Sequence, residues 1–486
     1  MPGDTASADN EDCPLIDNSM SKAAPPPVPG RVKTAYALGA FGPAMAGSTM
    51  IFFLMIFLTN VAGLPPAMAG SVLFIAKIWD AINDPLIGSF SDRTKTPIGR
   101  RLPWIAAATL PFAILFILQW WVPPFQGDYS NGLLFVYYIL VAIVFSAIYT
   151  ALTLPHQSLT AELSKDYDER TRIASFRQFA ELGGSVGGLI LALIVFKILA
   201  EKNQSIQFLG LGVSISFIIL ITMPVCLAGI WKAAKRSDQS ANFKPSKTPW
   251  SDFLTALKIR PFRQVCGIFL FSWLALQFTA TILPYYVTNW LHLPYEDFNK
   301  LALTVQGTGL LLIPVWGWLA VRLGKHAVYY LGMAVWIVAQ AALFLLPATG
   351  TTGIYWLAFL AGFGVSVCYL IPFAMLPDVI ELDELETGQR REGIFYGLLV
   401  FLQKGALALG TFLVGIVLQS AGYVSSKAGE IPPEQPESAL FAIRIAIGPL
   451  PAIALILGIW LTTRYPITKQ RHAEIRKALA QRHRTP

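Results

Sequence analysis

Twelve apolar stretches run along this chain, each near the roughly 20 residues that a helix needs to cross the hydrocarbon of a bilayer. A hydrophilic connection from Lys232 to Arg263 divides them into two sets of six. The predicted spans are 35–59, 69–90, 104–122, 132–154, 175–199, 208–231, 264–290, 300–321, 327–347, 353–376, 396–420 and 440–463. The pattern predicts an all-α membrane protein with twelve transmembrane helices in two six-helix halves.

The composition agrees with lipid as the solvent of this chain. Of its 486 residues, 54% are hydrophobic and only 14% are charged, and its mean hydropathy is +0.54. In soluble domains about a quarter of the residues are charged, so this chain has too little charge to cover a soluble surface. A nucleic-acid partner is therefore a poor explanation for the net charge of +8. The four cysteines show neither disulfide nor metal-site spacing. We expect no enzymatic activity and no cofactor.

The distribution of Lys and Arg among the connections predicts the orientation, because cations are enriched in cytoplasmic loops. One side of the membrane carries both termini and most of the cations, whereas the other side carries only Lys202, Lys300 and Lys427. We therefore expect both termini to be cytoplasmic, in a plasma or inner membrane, and the chain to act as a monomer. The predicted division is a disordered tail (1–33), an N-terminal bundle (34–231), a cytoplasmic loop (232–263), a C-terminal bundle (264–464) and a basic tail (465–486).

Span 2 carries ionisable residues at a depth where a charge is costly unless it is paired or solvated. In AKIWDAINDPLIG, Asp80 and Asp84 are four residues apart and share one helical face, with Lys77 one turn earlier. Two adjacent carboxylates repel each other unless a cation or a shared proton lies between them. The pair therefore predicts a site for sodium or a proton. The alternative is that both acids only neutralise Lys77 and other cations of the bundle.

Three other polar positions within the spans are candidate functional residues. Lys404 is isolated in span 11, and the aspartates of span 2 are its candidate partners. Competition between Lys404 and an arriving cation would couple ion binding to conformational change. Thr150 in span 4 offers a hydroxyl to the cation, although such a threonine usually bonds its own backbone. Arg177 in span 5 either contacts a substrate or only pairs with Glu181, and both interpretations stay open.

Four segments of the chain resemble the glycoside-pentoside-hexuronide:cation symporters, the melibiose permease-like family of the major facilitator superfamily. They are YALGAFGPA, IWDAINDPLIGSFSDRTKTPIGRRLPWI, AELSKDYDERTRIASFRQ and LPDVIELDELETGQRREGIFYGLLVFLQKGALALG. The resemblance implies alternating access around a midplane cavity. It also implies roles for individual residues, namely cation binding by Asp80, Asp84 and Thr150, coupling by Lys404, and substrate contact by Arg177 and Tyr149.

The chain departs from this family where sugar-specific members grip their substrate. Ala44 and Thr153 stand where those members have aspartates, and Gln157 stands where they have a tryptophan. A site without those carboxylates should bind a melibiose-like sugar poorly. The chain is also similar to the animal sodium-dependent lysophosphatidylcholine symporters. The resemblance to the glycoside-pentoside-hexuronide:cation symporters also implies a cytoplasmic gate region at Asp92, Arg93, Asp378 and Arg390.

These features predict a symporter that couples sodium or proton movement to the transport of a small solute. A sugar or glycoside is the leading substrate, and a lysolipid or other amphiphile is the alternative. A facilitator without ion coupling and a non-transporting receptor or sensor are the competing functions. The carboxylate pair suits either ion, so the residues alone do not choose between sodium and a proton.

Overall fold

The computed structural model describes residues 28–94, 96–125, 130–164, 167–239, 255–348, 353–387, 392–426 and 433–482. Within these ranges the elements are helices, and none is a strand. They are α1 (Gly30–Asn60), α2 (Pro66–Arg93), α3 (Leu102–Gln119), α4 (Ser130–Leu163), α5 (Tyr167–Ile198), α6 (Gln204–Gln239), α7 (Arg260–Tyr285), α8 (Tyr295–Leu323), α9 (Lys325–Leu345), α10 (Gly353–Thr387), α11 (Glu392–Ser420), α12 (Glu437–Thr463) and α13 (Lys469–Arg482). Helix α12 is interrupted at Gly448, and a π-helical turn, Tyr286–Trp290, extends α7.

Eleven of the described helices are long and apolar enough to cross a membrane, namely α1 and α3 to α12. Helix α2 has the same length, but Lys77, Asp80 and Asp84 make its middle too polar to stand out by composition. With α2 included, helices α1 to α12 match the predicted spans one to one. The prediction of an all-α, twelve-span membrane protein is therefore confirmed.

Several helices extend past the predicted ends of their spans into the connecting segments. Helix α6 continues to Gln239 and α7 begins at Arg260, so helix occupies both ends of the predicted loop 232–263. The centre of that loop, 240–254, and the start of the N-terminal tail, 1–27, lie outside the described residues. The predicted basic tail contains α13, whose Ile475 and Leu479 are buried.

The two halves are in contact at one end of the molecule, which we call the distal face and define by the end of α1 and the start of α2. The Thr59 and Tyr285 hydroxyls are 2.6 Å apart, and the Tyr423 hydroxyl donates to Asn60 at 3.0 Å. One hydrophobic core runs from the N-terminal half into the C-terminal half, whereas a second core lies within the C-terminal half. This conformation is therefore closed at the distal face. The opposite end, where α1 begins and α12 ends, is the terminal face.

Helices α2 and α11 cross closely near the distal face because both have a glycine there. A Cβ atom on Gly415 would lie 2.6 Å from the Pro66 carbonyl oxygen, and one on Gly70 would lie 3.2 Å from the Phe412 Cα. The Phe412 ring stacks on Phe74 with a centroid distance of 4.9 Å. Small residues permit such close helix packing. The crossing brings together the two helices that carry the predicted ion-site charges.

Candidate cation site and substrate pocket

The two aspartates of α2 face the inside of the bundle, where α4 and α11 meet α2. The Asp80 side chain is 6% exposed and the Asp84 side chain is 26% exposed. Their spacing of four residues places both carboxylates on one side of the helix. Two acids therefore share a confined volume, as expected from the sequence.

Helix α4 supplies hydroxyl groups to one side of this carboxylate pair. The Ser146 hydroxyl donates to Asp80 Oδ1 at 2.8 Å. The Thr150 hydroxyl lies 2.8 Å from Asp84 Oδ1 and 3.2 Å from Asp80 Oδ1, so it bridges the two acids. Ser146 and Thr150 are one helical turn apart, and both are buried. The predicted threonine is thus in place, together with a serine that the sequence interpretation missed.

Cationic groups occupy the other side of the carboxylate pair. The Lys404 ammonium from α11 is 2.9 Å from Asp80 Oδ2 and is also ion-paired with Asp84 Oδ2. Lys77 lies 3.6 Å from Asp80 Oδ2 and is more exposed, at 40% of its side chain. The structure therefore makes Lys404 the link between the acids of the N-terminal half and the C-terminal half. Removing one member of such a buried pair leaves an uncompensated charge.

A pocket next to the ion pair contains all the residues that the sequence analysis placed in the substrate cavity. Its empty volume of about 300 Å³ includes space that is open to solvent. The predicted residues that line it are Ala44, Tyr149, Thr153, Gln157 and Arg177.

The rest of the pocket lining has two parts. The α1 side of the pocket is apolar and consists of Gly39, Ala40 and Pro43. Polar groups come from His156 and Glu181. Sequence reasoning did not assign these five residues to the cavity. One signal was present, because His156 directly precedes the predicted residue Gln157 and Glu181 is one turn from Arg177.

The main charged groups in the pocket are paired with each other. Arg177 Nη1 donates to Glu181 Oε2 at 2.7 Å, one turn further along α5. Tyr149 and Thr150 are consecutive in α4, and the first lines the pocket while the second bonds the carboxylates. One short segment of α4 therefore contacts both the candidate ion site and the pocket.

Of the predicted gate residues, the structure describes the side chains of Arg93 and Asp378. Asp378 of α10 is buried and accepts hydrogen bonds from Lys325 at 2.6 and 2.7 Å, and His472 of α13 lies 3.4 Å away. These partners belong to the same half or to the C-terminal helix. Arg93 is exposed at the end of α2, next to Asp92, and Arg390 lies outside the described residues.

Comparison with known proteins identifies relatives along nearly the whole chain. An uncharacterised symporter of Synechocystis is 41% identical, and the alignment covers 93% of this chain and 96% of the relative. The sodium-dependent lysophosphatidylcholine symporter 1 of Xenopus tropicalis is 28% identical over 92% of this chain and 89% of its own length. The sphingosine-1-phosphate transporter MFSD2B of the same species is 27% identical, with coverages of 92% and 90%.

Solved transporter structures share the fold. The nucleoside transporter NupG superimposes with a TM-score of 0.62 at 14% identity, covering 88% of this chain and 99% of that chain. The inward-open xylose transporter XylE from E. coli has a TM-score of 0.58 at 14% identity, with coverages of 92% and 98%. The family profile described as MFS/sugar transport protein matches residues 35–469. The chain therefore belongs to the MFS/sugar transport family, and it is a membrane transporter rather than an enzyme.

Proposed function

We propose that this protein is a cation-coupled symporter that binds sodium or a proton at Asp80, Asp84 and Thr150 and moves a small solute by alternating access. The observation that carries this proposal is the pairing of Lys404 with both carboxylates across the two halves. The symporter relatives support ion coupling in general. We also propose that the chain is a member of the glycoside-pentoside-hexuronide:cation symporters, that both termini are cytoplasmic and that it acts as a monomer.

Competition for the carboxylates would connect ion binding to the movement of the halves. Lys404 lies on α11 and the acids lie on α2, so their ion pair favours the conformation in which α2 and α11 are closely packed. A cation that binds the same carboxylates weakens this pair. It therefore changes the relative free energies of the two conformations, as any ligand with different affinities for two states does.

The pocket would receive the solute within reach of the same element. Arg177 can leave Glu181 for a substrate group of negative charge or for a hydroxyl, because both side chains are partly exposed. Tyr149 lies next to Thr150 in α4, so a shift of the hydroxyl towards a bound cation also moves the pocket wall. Ion and solute would then favour the same conformation.

Two substrate classes remain candidates. A sugar or glycoside is supported by the description of the family and by the resemblance of the span 2 signature. A phosphate-bearing amphiphile is supported by the relatives named for lysophosphatidylcholine and sphingosine-1-phosphate. Arg177 favours the amphiphile, because a guanidinium matches the geometry of a phosphate and the α1 wall of the pocket is apolar.

Uptake into proteoliposomes tests the proposal. Labelled melibiose, lysophosphatidylcholine and sphingosine-1-phosphate are offered in turn, with a sodium gradient, a proton gradient or no gradient. We expect accumulation of one solute only when one of the gradients is present. Equal uptake with and without a gradient indicates a facilitator. No uptake of any of the three solutes favours the receptor interpretation.

Replacing both acids tests the site itself. The double variant D80N/D84N should lose ion-driven accumulation, because two amides cannot balance a bound cation. Asp297→Asn is the matched control, since Asp297 pairs with Lys300 at 2.8 Å on α8, away from the site. Undiminished ion-driven uptake by D80N/D84N would contradict the assignment of the cation site.

A further inference from the structure

The hydroxyl of Ser146 is a polar group at the cation site that the function proposed above does not use. Its residue is buried in α4, and its oxygen lies 2.8 Å from Asp80 Oδ1. Thr150, one turn later, approaches the same oxygen at 3.2 Å and Asp84 Oδ1 at 2.8 Å. Four oxygen atoms therefore converge on the α4 side of the carboxylate pair.

The carboxylate pair has two sides with different chemistry. Both Oδ2 atoms face the Lys404 ammonium, whereas both Oδ1 atoms face hydroxyl oxygens. Lys404 therefore leaves the Oδ1 side of the pair to neutral ligands. A cation bound at that side would meet carboxylate and hydroxyl oxygens, and hard cations such as sodium prefer such oxygen ligands.

A proton and a metal ion make different demands on these oxygens. A proton needs one carboxylate oxygen and one acceptor, which Asp80 and Asp84 already supply. An alkali cation needs several oxygens around it, and the selectivity among cations depends on the number and spacing of those oxygens. A second buried hydroxyl beside Thr150 is therefore useful to a sodium-sized ion and not to a proton.

We infer that Ser146 is a further oxygen ligand of the coupling-cation site and that it makes this site select a sodium-sized alkali ion over a proton. The inference rests on the proposed function, because it assumes that Asp80 and Asp84 bind the coupling ion. On cation binding, the hydroxyl hydrogen turns away from the carboxylate towards the carbonyl one turn earlier in α4. A serine in a membrane helix readily makes this backbone bond. The oxygen lone pairs then face the ion.

A purely structural role for Ser146 makes a different prediction. A hydroxyl that only donates a hydrogen bond to Asp80 helps to keep this carboxylate ionised. Its loss would then weaken sodium binding in acidic buffer, where protons compete for the carboxylate. The effect would disappear in alkaline buffer, where the carboxylate is ionised in any case. If Ser146 is a ligand, in contrast, its loss weakens sodium binding at every pH.

Sodium titration of the purified full-length protein separates these roles. Binding is followed by calorimetry at about pH 6 and about pH 9, with lithium in parallel. We expect Ser146→Ala and the similarly sized Ser146→Cys to weaken sodium binding on the order of tenfold or more at both pH values. Ser146→Thr keeps the hydroxyl and should therefore retain binding. Ser158→Ala is the control, because the Ser158 hydroxyl donates to the Leu154 carbonyl of its own helix.

The outcomes distinguish this inference from the proposed function. If Ser146→Ala and Ser146→Cys bind sodium like the wild type at about pH 9, Ser146 is not a ligand and the inference is wrong. The variant D80N/D84N should lose sodium binding altogether. If D80N/D84N loses binding and the Ser146 variants do not, only the role of Ser146 is rejected. If D80N/D84N still binds sodium, the cation site itself is misassigned.

Discussion

Substituting Gly415 by alanine should open the distal face. The new Cβ atom would lie 2.6 Å from the Pro66 carbonyl oxygen and 3.3 Å from the Gly70 Cα. Both are main-chain atoms, so no side-chain rotation relieves the contact. An ordinary separation begins near 3.4 Å, which means that α2 and α11 must move apart by about 0.8 Å at this point.

The magnitude follows from the known cost of inserting a methyl group into a packed contact, about 1–3 kcal/mol. This cost applies to the distally closed state, because opening of the distal face would separate α2 and α11 at this end. It changes the ratio of open to closed molecules by about 5-fold to about 150-fold. A distally open population of about 1% would rise to roughly 5% or as far as roughly 60%.

Electron–electron distance measurements between spin labels test this prediction. The labels replace Lys202 and Glu437, which are exposed at the distal ends of the two halves. We expect Gly415→Ala to add a longer-distance population. Gly317→Ala is the control for the change in helix propensity, because a Cβ atom there has no neighbour within 4 Å. Identical distance distributions for wild type and Gly415→Ala would refute the role of this crossing in closing the distal face.

Two further predictions concern stability. Gly184→Ala should lower the free energy of unfolding by about 1–3 kcal/mol, because its Cβ would clash with the Phe41 carbonyl oxygen. Gly183→Ala is the control, since its Cβ would lie 3.9 Å from the Phe41 ring, an ordinary contact. Thermal unfolding of the two variants in parallel checks this prediction, and equal melting temperatures would contradict it. Glu169 precedes the membrane-spanning part of α5, and the hydrogen bond from Lys33 lowers the pKa of its carboxyl group. Its stabilising contribution is thus present above the ordinary glutamate pKa and is lost as the pH falls through the lowered value. Glu169→Gln should melt earlier than wild type at neutral pH, with the gap narrowing in acid; a gap that persists in strong acid argues against the ion pair.

The charged part of the site was predictable because charge inside an apolar helix needs a partner. Asp80 and Asp84 stand out from span 2, and Lys404 stands out from span 11, so their pairing followed from electrostatics alone. The number and order of the spans followed from hydropathy in the same way. Both predictions used only the charge or hydropathy of a residue and of its neighbours in the sequence.

The remaining parts depend on which helices meet, and local sequence does not contain this information. Ser146 looks like any serine that bonds its own helix, although its position one turn before Thr150 was a signal. Helix α13 lies in the segment that the sequence predicted as a basic tail. Its Ile475 and Leu479 side chains are buried, and docking of this helix brings His472 to Asp378. The partners of Asp378 could therefore not be predicted.

The arrangement around Lys404 determines how membrane voltage acts on the transport cycle. With every side chain ionised, Asp80, Asp84, Lys77 and Lys404 together carry no net charge, and one bound monovalent cation brings the sum to plus one. Moving one elementary charge through the field involves about 2.3 kcal/mol per 100 mV. The empty carrier would thus reorient almost without regard to voltage. The loaded carrier would move a positive charge, so the membrane potential would act on that step.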